Sequence, residues 1–239
     1  MRIIFVLALI QVMQCDLLNG QIPVPRSREG SISGVVTGSN GAAIQGASVG
    51  LWLLPPQPKD RFFRTQQVAT SHSDGSFSFD GLIEGDYRIC VHSPGTAWLN
   101  PCEWGPQPPS VTISKSQASV KYPIILKLGV FVSIRVDDPG RLLEQHESKT
   151  AGAHLLIGVT NDAHAFVPAR VLARDSGGRG QQILIPFDSV KTVSIYSSLF
   201  RLSDQADIPV AGNGIIIPVT VASGTSAPPI RIKVTGISK

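Results

Sequence analysis

The sequence predicts an all-β protein: two consecutive antiparallel β-sandwiches behind a signal peptide. Three observations lead there. The 239 residues include 23 glycines and 18 prolines, turn formers in numbers that a helical bundle does not carry. No stretch keeps a long apolar helical period, whereas short segments alternating apolar and polar residues recur along the chain. Hydrophobic residues make up 42% and charged residues 16%, which sets aside a disordered chain.

The N-terminus reads as an address. Met1 and Arg2 precede an unbroken apolar run over residues 3–10, and Gln11, Gln14 and Asp16 close it. A run that short does not span a bilayer. It reads as a secretory signal peptide, residues 1–20, cleaved after Gly20. Cys15 offers a lipid anchor as the alternative, but Gln14 stands where such a signal wants a small residue, so simple export is preferred. Residues 21–29 follow as a linker. No later segment is long and apolar enough for a membrane helix, so no integral span is expected after cleavage, and the expected location is secreted or periplasmic. Cys90 and Cys102 are the cysteines left after processing, and in an oxidising compartment such a pair forms a disulfide. A metal site there would need more ligands than His92.

The net charge is +4, spread evenly along the chain with no two basic residues adjacent. Nucleic-acid binding needs clustered Lys and Arg on one face, so no nucleic-acid partner is expected.

The strands of the first half follow in order. Ile32, Gly34 and Val36 alternate, and a Gly-Ser-Asn-Gly turn at 38–41 ends that strand. Ala47, Val49 and Leu51 mark the second. After a Pro-rich loop at 54–58, residues 67–73 form a third extended segment, and Asp74-Gly75 reads as a hairpin turn because glycine accepts positive φ at little cost. Phe77 and Phe79 then alternate with serines. Gly85-Asp86 turns the chain into Tyr87, Ile89 and Val91, with Arg88, Cys90 and His92 on the opposite face, and Ile124, Leu126 and Leu128 complete the set.

These residues resemble the carboxypeptidase regulatory-like domain, a transthyretin-like (prealbumin-like) β-sandwich. The matches are Gly34-x-Val36, then Gly41-x-x-Ile44-x-Gly46-Ala47-x-Val49-x-Leu51, then Asp74-Gly75-x-Phe77-x-Phe79-x-x-Leu82-x-x-Gly85-x-Tyr87-x-Ile89-x-Val91. Gly38 and Ala43 depart from the residues usual there, Asp and Pro. The resemblance covers residues 30–128 and implies a fold rather than a reaction: such domains are commonly appendages to other exported modules, and the related fold superfamily includes carbohydrate binders.

Residues 129–239 read as a second β-sandwich of uncertain family. Val130, Val132, Ile134 and Val136 alternate, and further strands are expected at 154–159, 166–173, 181–186, 192–197, 215–221 and 230–234. Turn signals lie at 137–140, 176–178 and 211–214. Seven short strands so spaced fit an immunoglobulin-like sandwich, and residues 141–150 are a loop or one helical turn. The order of segments in this half looks like that of exported bacterial proteins that carry the same first domain.

Several chemistries are missing. A zinc peptidase needs His-x-x-Glu or His-Glu-x-x-His, and none of His72, His92, His146, His154 and His164 has that spacing. Gly46-Ala47-Ser48-Val49-Gly50 has the letters of a nucleophile elbow, yet it lies inside a strand with no helix after it. The Gly-rich stretches at 39–41 and 176–180 lack the Walker spacing, and Asp137-Asp138 and Asp204 with Asp207 lack a calcium-loop pattern. No cofactor or metal is expected.

One stretch invites a binding hypothesis. Residues 94–110 leave the strand pattern and hold Trp98, Trp104 and Cys102; bonding to Cys90 would staple this excursion to the outer sheet face. Phe62 and Phe63 on the other Pro-rich loop complete the candidate ligand-binding set with the two tryptophans. Caps on the sandwich end are the preferred reading of both tryptophans. The functional expectation is an exported, non-enzymatic binding or scaffold protein of the cell envelope or exterior, with envelope proteins or a polysaccharide as partners. The alternatives are a carbohydrate-binding module using Trp98 and Trp104, or an enzyme in the second half using His154, His164, Asp162 or Asp188.

Overall fold

In the computed structural model, described for residues 29–54, 65–147, 149–150, 154–204, 208 and 214–238, the strands form four sheets in two β-sandwich domains. The first holds β1 (Gly30–Gly38), β2 (Ser48–Leu53), β3 (Thr65–Thr70), β4 (Ser76–Leu82) and β5 (Gly85–His92). A short helix, α1 (Pro101–Trp104), follows, then β6 (Ser110–Ile113), β7 (Ser119–Lys121) and β8 (Ile124–Leu126). One sheet runs β4-β1-β7 with β8 also on β1; the other runs β3-β2-β5-β6. The expected alternation builds the core, where Ile32, Val36, Leu51, Phe77, Phe79, Tyr87, Ile89 and Leu126 are buried together. The Tyr87 hydroxyl donates to the Ile83 carbonyl at 2.8 Å, which satisfies the polar end of a fully buried ring.

β1 is antiparallel to β4 but parallel to β7 and β8, so the sandwich is not purely antiparallel. Between β7 and β8 the backbone crosses close over Gly34. A Cβ there would stand 2.0 Å from the Tyr122 carbonyl oxygen, so only glycine fits.

Asp74-Gly75 does form a turn, with Gly75 at φ 80°, yet it is not a hairpin between paired strands: β3 pairs with β2 and β4 with β1. The chain changes layers here. Ser71 ends β3's partnership by donating its hydroxyl to the Ile44 carbonyl and accepting from the Ala47 amide, and Val36 donates its amide to the Gly75 carbonyl at the start of the other sheet. Leu128 lies beyond β8 and is exposed rather than part of the core alternation.

The second domain holds β9 (Gly129–Asp137), α2 (Leu142–His146), β10 (Leu155–Thr160), β11 (Phe166–Pro168) and β12 (Arg170–Asp175). β13 (Gly178–Pro186), β14 (Lys191–Ser197), β15 (Phe200–Ser203), β16 (Gly214–Val219) and β17 (Ile230–Ile237) complete it. Its sheets run β11-β10-β14-β16 and β12-β13-β9-β17-β15. Val132, Ile134, Ile157, Val159, Ile183, Val193, Ile195 and Ile232 meet between them.

The strand expected at 166–173 is in fact two strands in different sheets. Pro168 has no amide to continue a ladder. The Ala169 amide donates to the Ile157 carbonyl at 2.7 Å, and Arg170 already pairs with Gln182 in the opposite sheet. The polar stretch at 141–150 contains one short helix, capped by Asp138, whose carboxylate accepts from the Leu142 and Leu143 amides at 2.9 and 2.8 Å. Beside it, buried Arg179 donates to both carboxylate oxygens of Glu147 at 2.7 Å.

Candidate functional site

The excursion between β5 and β6 ties the two sandwiches together, and each of its contacts is built locally. Residues 97–99 run beside the inter-sandwich connection. The Leu99 amide donates to the Lys127 carbonyl at 2.9 Å, the Gly129 amide to the Ala97 carbonyl at 2.8 Å, and Trp98 bridges to Leu128. Asn100 then stops the strand-like run, because its side chain accepts from the Cys102 amide at 3.0 Å while Pro101 takes the first helical position. The four-residue helix that results ends at Gly105.

Cys90 lies on the outward face of β5, half-buried between inward Ile89 and Val91, and forms a disulfide with Cys102. The helix is thus fixed to the first sandwich. Glu103 and Trp104 reach the second. The Glu103 carbonyl accepts from the Asn161 side-chain amide, and Asn161 is itself buried and organises the 161–165 turn by accepting from the Ala163 and Ala165 amides. Trp104 packs against the core of the second sandwich, and the Lys191 ammonium stands 5.9 Å from its ring centroid while pairing with Asp162 at 2.5 Å. Trp98, in contrast, packs against the core of the first sandwich. Both tryptophans are half-buried and are divided between two cores.

A cleft of about 190 Å³ opens beside this excursion, between the sandwiches, with Trp98, His92, Asn100, Glu103, Arg170 and Gln182 in its wall. Its wall also holds Phe131, Val167, Ile183 and Leu184, so two aromatic rings and several aliphatic side chains stand beside these hydrogen-bonding and charged groups, a mixed and mainly apolar lining. Phe62 and Phe63 lie outside the described residues, as do the signal segment and Cys15.

Of the residues named for an enzyme in the second domain, His154 stands apart from the others. His154 precedes β10, whereas Asp162 and His164 follow it in the 161–165 turn, where Asp162 is engaged by Lys191. Asp188 sits in the β13–β14 turn at φ 55° and accepts from the Ser223 amide. Ser48 opens β2 opposite Thr70 and His92, in a strand rather than at an elbow. Among the described residues there is no group of three His, Cys, Asp or Glu side chains placed to hold a metal ion. Two carboxyls are held low for structural reasons. Hydrogen bonds from Ser76 keep Asp74 below its usual range, and hydrogen bonding to Arg135 holds Asp175 at about 2.

Sequence reasoning placed the Cys90–Cys102 disulfide and the excursion that carries Trp98 and Trp104, and did not reach Asn161 and Lys191. Asn161 carried a readable signal, since Asn-Asp between two alternating segments marks a turn, but its reach to Glu103 is a tertiary fact.

No family model matches the chain, and no curated protein matches it, so the resemblance of residues 30–128 is not joined by a family assignment. Among solved structures the chain is distantly similar to a streptococcal ancillary pilin, at 9% identity and a TM-score of 0.39, over 86% of this chain and 62% of that one. It is similar to the shaft pilin spaA from Lactobacillus rhamnosus GG at 10% identity and a TM-score of 0.32, over 88% and 99%. It is also similar to an (S)-allantoin synthase at 15% identity and a TM-score of 0.32, over 43% and 42%. The chain therefore spans less than two thirds of the length of the ancillary pilin and of the synthase. Among the described residues no helix is long and apolar enough to cross a membrane.

Proposed function

We propose that the chain is an exported, non-enzymatic scaffold of the cell envelope or exterior, two β-sandwiches cemented into one rigid unit that presents its surfaces to envelope partners. The observation that carries this reading is the latch: a disulfide fixes α1 to the first sandwich while Trp104 and the Glu103 carbonyl engage the second. An enzyme could use a flexible pair of domains; a load-bearing or spacing element needs the joint immobilised. The disulfide also supports an oxidising compartment, in keeping with export.

Backbone ¹⁵N relaxation tests the reading. One rotational correlation time shared by both sandwiches is expected, and two independent times would overturn the rigid-unit proposal. Mass spectrometry of protein recovered from the producing cell should find Cys90 and Cys102 oxidised; free thiols there would remove the support for export.

A further inference from the structure

The cleft between the sandwiches holds charges that the chain leaves unpaired. Elsewhere the charged hollows are balanced internally. Between α2 and the β12–β13 turn, Arg141 pairs with Glu144 and Asp175 with Arg135, while Asp138 caps the helix. Beside β10, Glu147 is shared by Arg174 and Arg179, and over β9 and β17 both Arg135 and Arg231 reach Asp137. The inter-sandwich cleft instead has one carboxylate and one guanidinium in its wall, Glu103 and Arg170, and neither side chain has a partner among the described residues. Strand register orders the wall that the second sandwich contributes. Arg170 on β12 is opposite Gln182 on β13, and two residues further along β13 Leu184 is opposite Phe131 on β9. These residues point away from the core, where their neighbours Val130, Val132, Ile183 and Ile185 are buried. A polar end and an apolar end therefore lie about 7 Å apart on one sheet face. Across the cleft the first sandwich presents Glu103 from α1, Asn100 from its cap, and the Trp98 ring.

We infer that the cleft binds a free α-amino acid with an apolar side chain: its carboxylate on Arg170 and Gln182, its ammonium on Glu103, and its side chain against Phe131, Leu184 and Trp98. Charge selects the zwitterion. A simple anion drawn to Arg170 faces Glu103, and a simple cation drawn to Glu103 faces Arg170. A molecule that carries both signs satisfies both groups and strands neither in a closed cleft, where an uncompensated charge is costly. Size selects a single residue. The 190 Å³ is the bulk of roughly six water molecules, room for one amino acid and not for a peptide or a sugar chain. Lining selects the side chain. The step of about 7 Å from the polar end to the apolar end matches the reach from a carboxylate to the tip of a leucine or phenylalanine side chain. Val167 and Ile183 extend that apolar end. The inference goes beyond the scaffold reading and does not depend on it: a chain that binds no amino acid but tumbles as one body keeps that reading.

The test is isothermal titration calorimetry of the full exported chain with leucine and phenylalanine. Three controls each lack one feature: N-acetylleucine the ammonium, leucinamide the carboxylate, and aspartate the apolar side chain. Saturable binding of leucine or phenylalanine is expected, with every control weaker by about tenfold or more, the effect of losing a charged hydrogen bond or a buried side chain. Arg170→Gln should weaken leucine by about tenfold and leave leucinamide within about twofold, because the carboxylate that Arg170 would hold is already gone. Glu103→Gln should likewise weaken leucine and spare N-acetylleucine. Arg170 is exposed, and Glu103→Gln keeps the backbone carbonyl that Asn161 uses, so both variants keep the fold. The inference is overturned if neither leucine nor phenylalanine binds saturably, or if N-acetylleucine or leucinamide binds as tightly as leucine. It is also overturned if both variants keep wild-type affinity, or if Arg170→Gln weakens leucine and leucinamide alike. Tryptophan emission that shifts with cellobiose and with no amino acid would put a sugar in the cleft, which overturns it too.

Discussion

Replacing Cys90 and Cys102 together by serine removes the staple without leaving a lone thiol, and its effect can be worked out from the chain. The two residues are 12 apart, so the unfolded chain gains the freedom of a loop of that size. The loop-entropy relation gives a loss of about 3 kcal/mol at 25 °C. With a urea dependence of roughly 1–3 kcal/mol/M, the midpoint of the first transition should fall by about 1–3 M. Trp98 and Trp104 both lie on the excursion, so tryptophan fluorescence reports on it directly. The latch adds a second, more demanding expectation. If the disulfide holds α1 in place for Trp104, then Trp104→Ala should cost less in the serine background than in the oxidised protein, with a coupling of about 1 kcal/mol in a double-mutant cycle. A loss below about 1 kcal/mol would refute the entropic estimate. Equal costs of Trp104→Ala in both backgrounds would refute the coupling, and with it the view that the staple acts on the neighbouring sandwich.

Three further outcomes are expected. Glu147→Ala strands the buried Arg179 guanidinium and should cost about 3–5 kcal/mol in equilibrium unfolding of the second sandwich, more than Arg179 and Glu147 replaced together by apolar residues. Gly34→Ala should destabilise by more than about 2 kcal/mol because its Cβ meets a backbone oxygen. Gly41→Ala, at φ 80° with open space around it, should lose only the roughly 1–2 kcal/mol of a left-handed residue, and thermal melts of the two variants would rank them. Asp175 is held at about 2, below its ordinary 3.8. Its pairing with Arg135 therefore contributes fully above the unfolded value and is lost as pH falls from about 4 towards 2. The stability gap between wild type and Asp175→Asn should be flat near neutral pH and close across that acidic window in a series of urea titrations.

The elements legible in the sequence are those long enough to show a period. β1, β4, β5, β9 and β14 each carry several inward apolar residues at alternate positions, and the period-two pattern places them directly. β7 has three residues, and β6 and β15 have four, too few to display any period; they exist because neighbouring strands offer open ladders. The switch of sheet at Ala169 hid for a different reason. Phe166 to Ala173 is apolar enough to read as one strand, and only the missing Pro168 amide hints that the ladder breaks. At the latch, Cys90 and Cys102 were readable because compartment and cysteine number leave few options, whereas the burial of Lys191, at 4%, beside Trp104 and Asp162 is a tertiary fact that no local pattern encodes.

The latch also explains what a covalent bond adds to so short a helix. A four-residue helix is far below the length at which helices hold themselves together, and α1 buries none of its residues fully. Ordering each residue of such an excursion costs roughly 1–2 kcal/mol of backbone entropy. One aromatic side chain against the second core, one side-chain amide on the Glu103 carbonyl and a short ladder with residues 127–129 do not outweigh that for the whole stretch. The disulfide lowers the cost on the unfolded side, the Asn100 cap and Pro101 fix the direction of the turn, and Trp104 then arrives at the second core already oriented. Reduction of Cys90 and Cys102 is therefore expected to loosen the hold on the second sandwich as well, the outcome that the double-mutant cycle with Trp104→Ala reads.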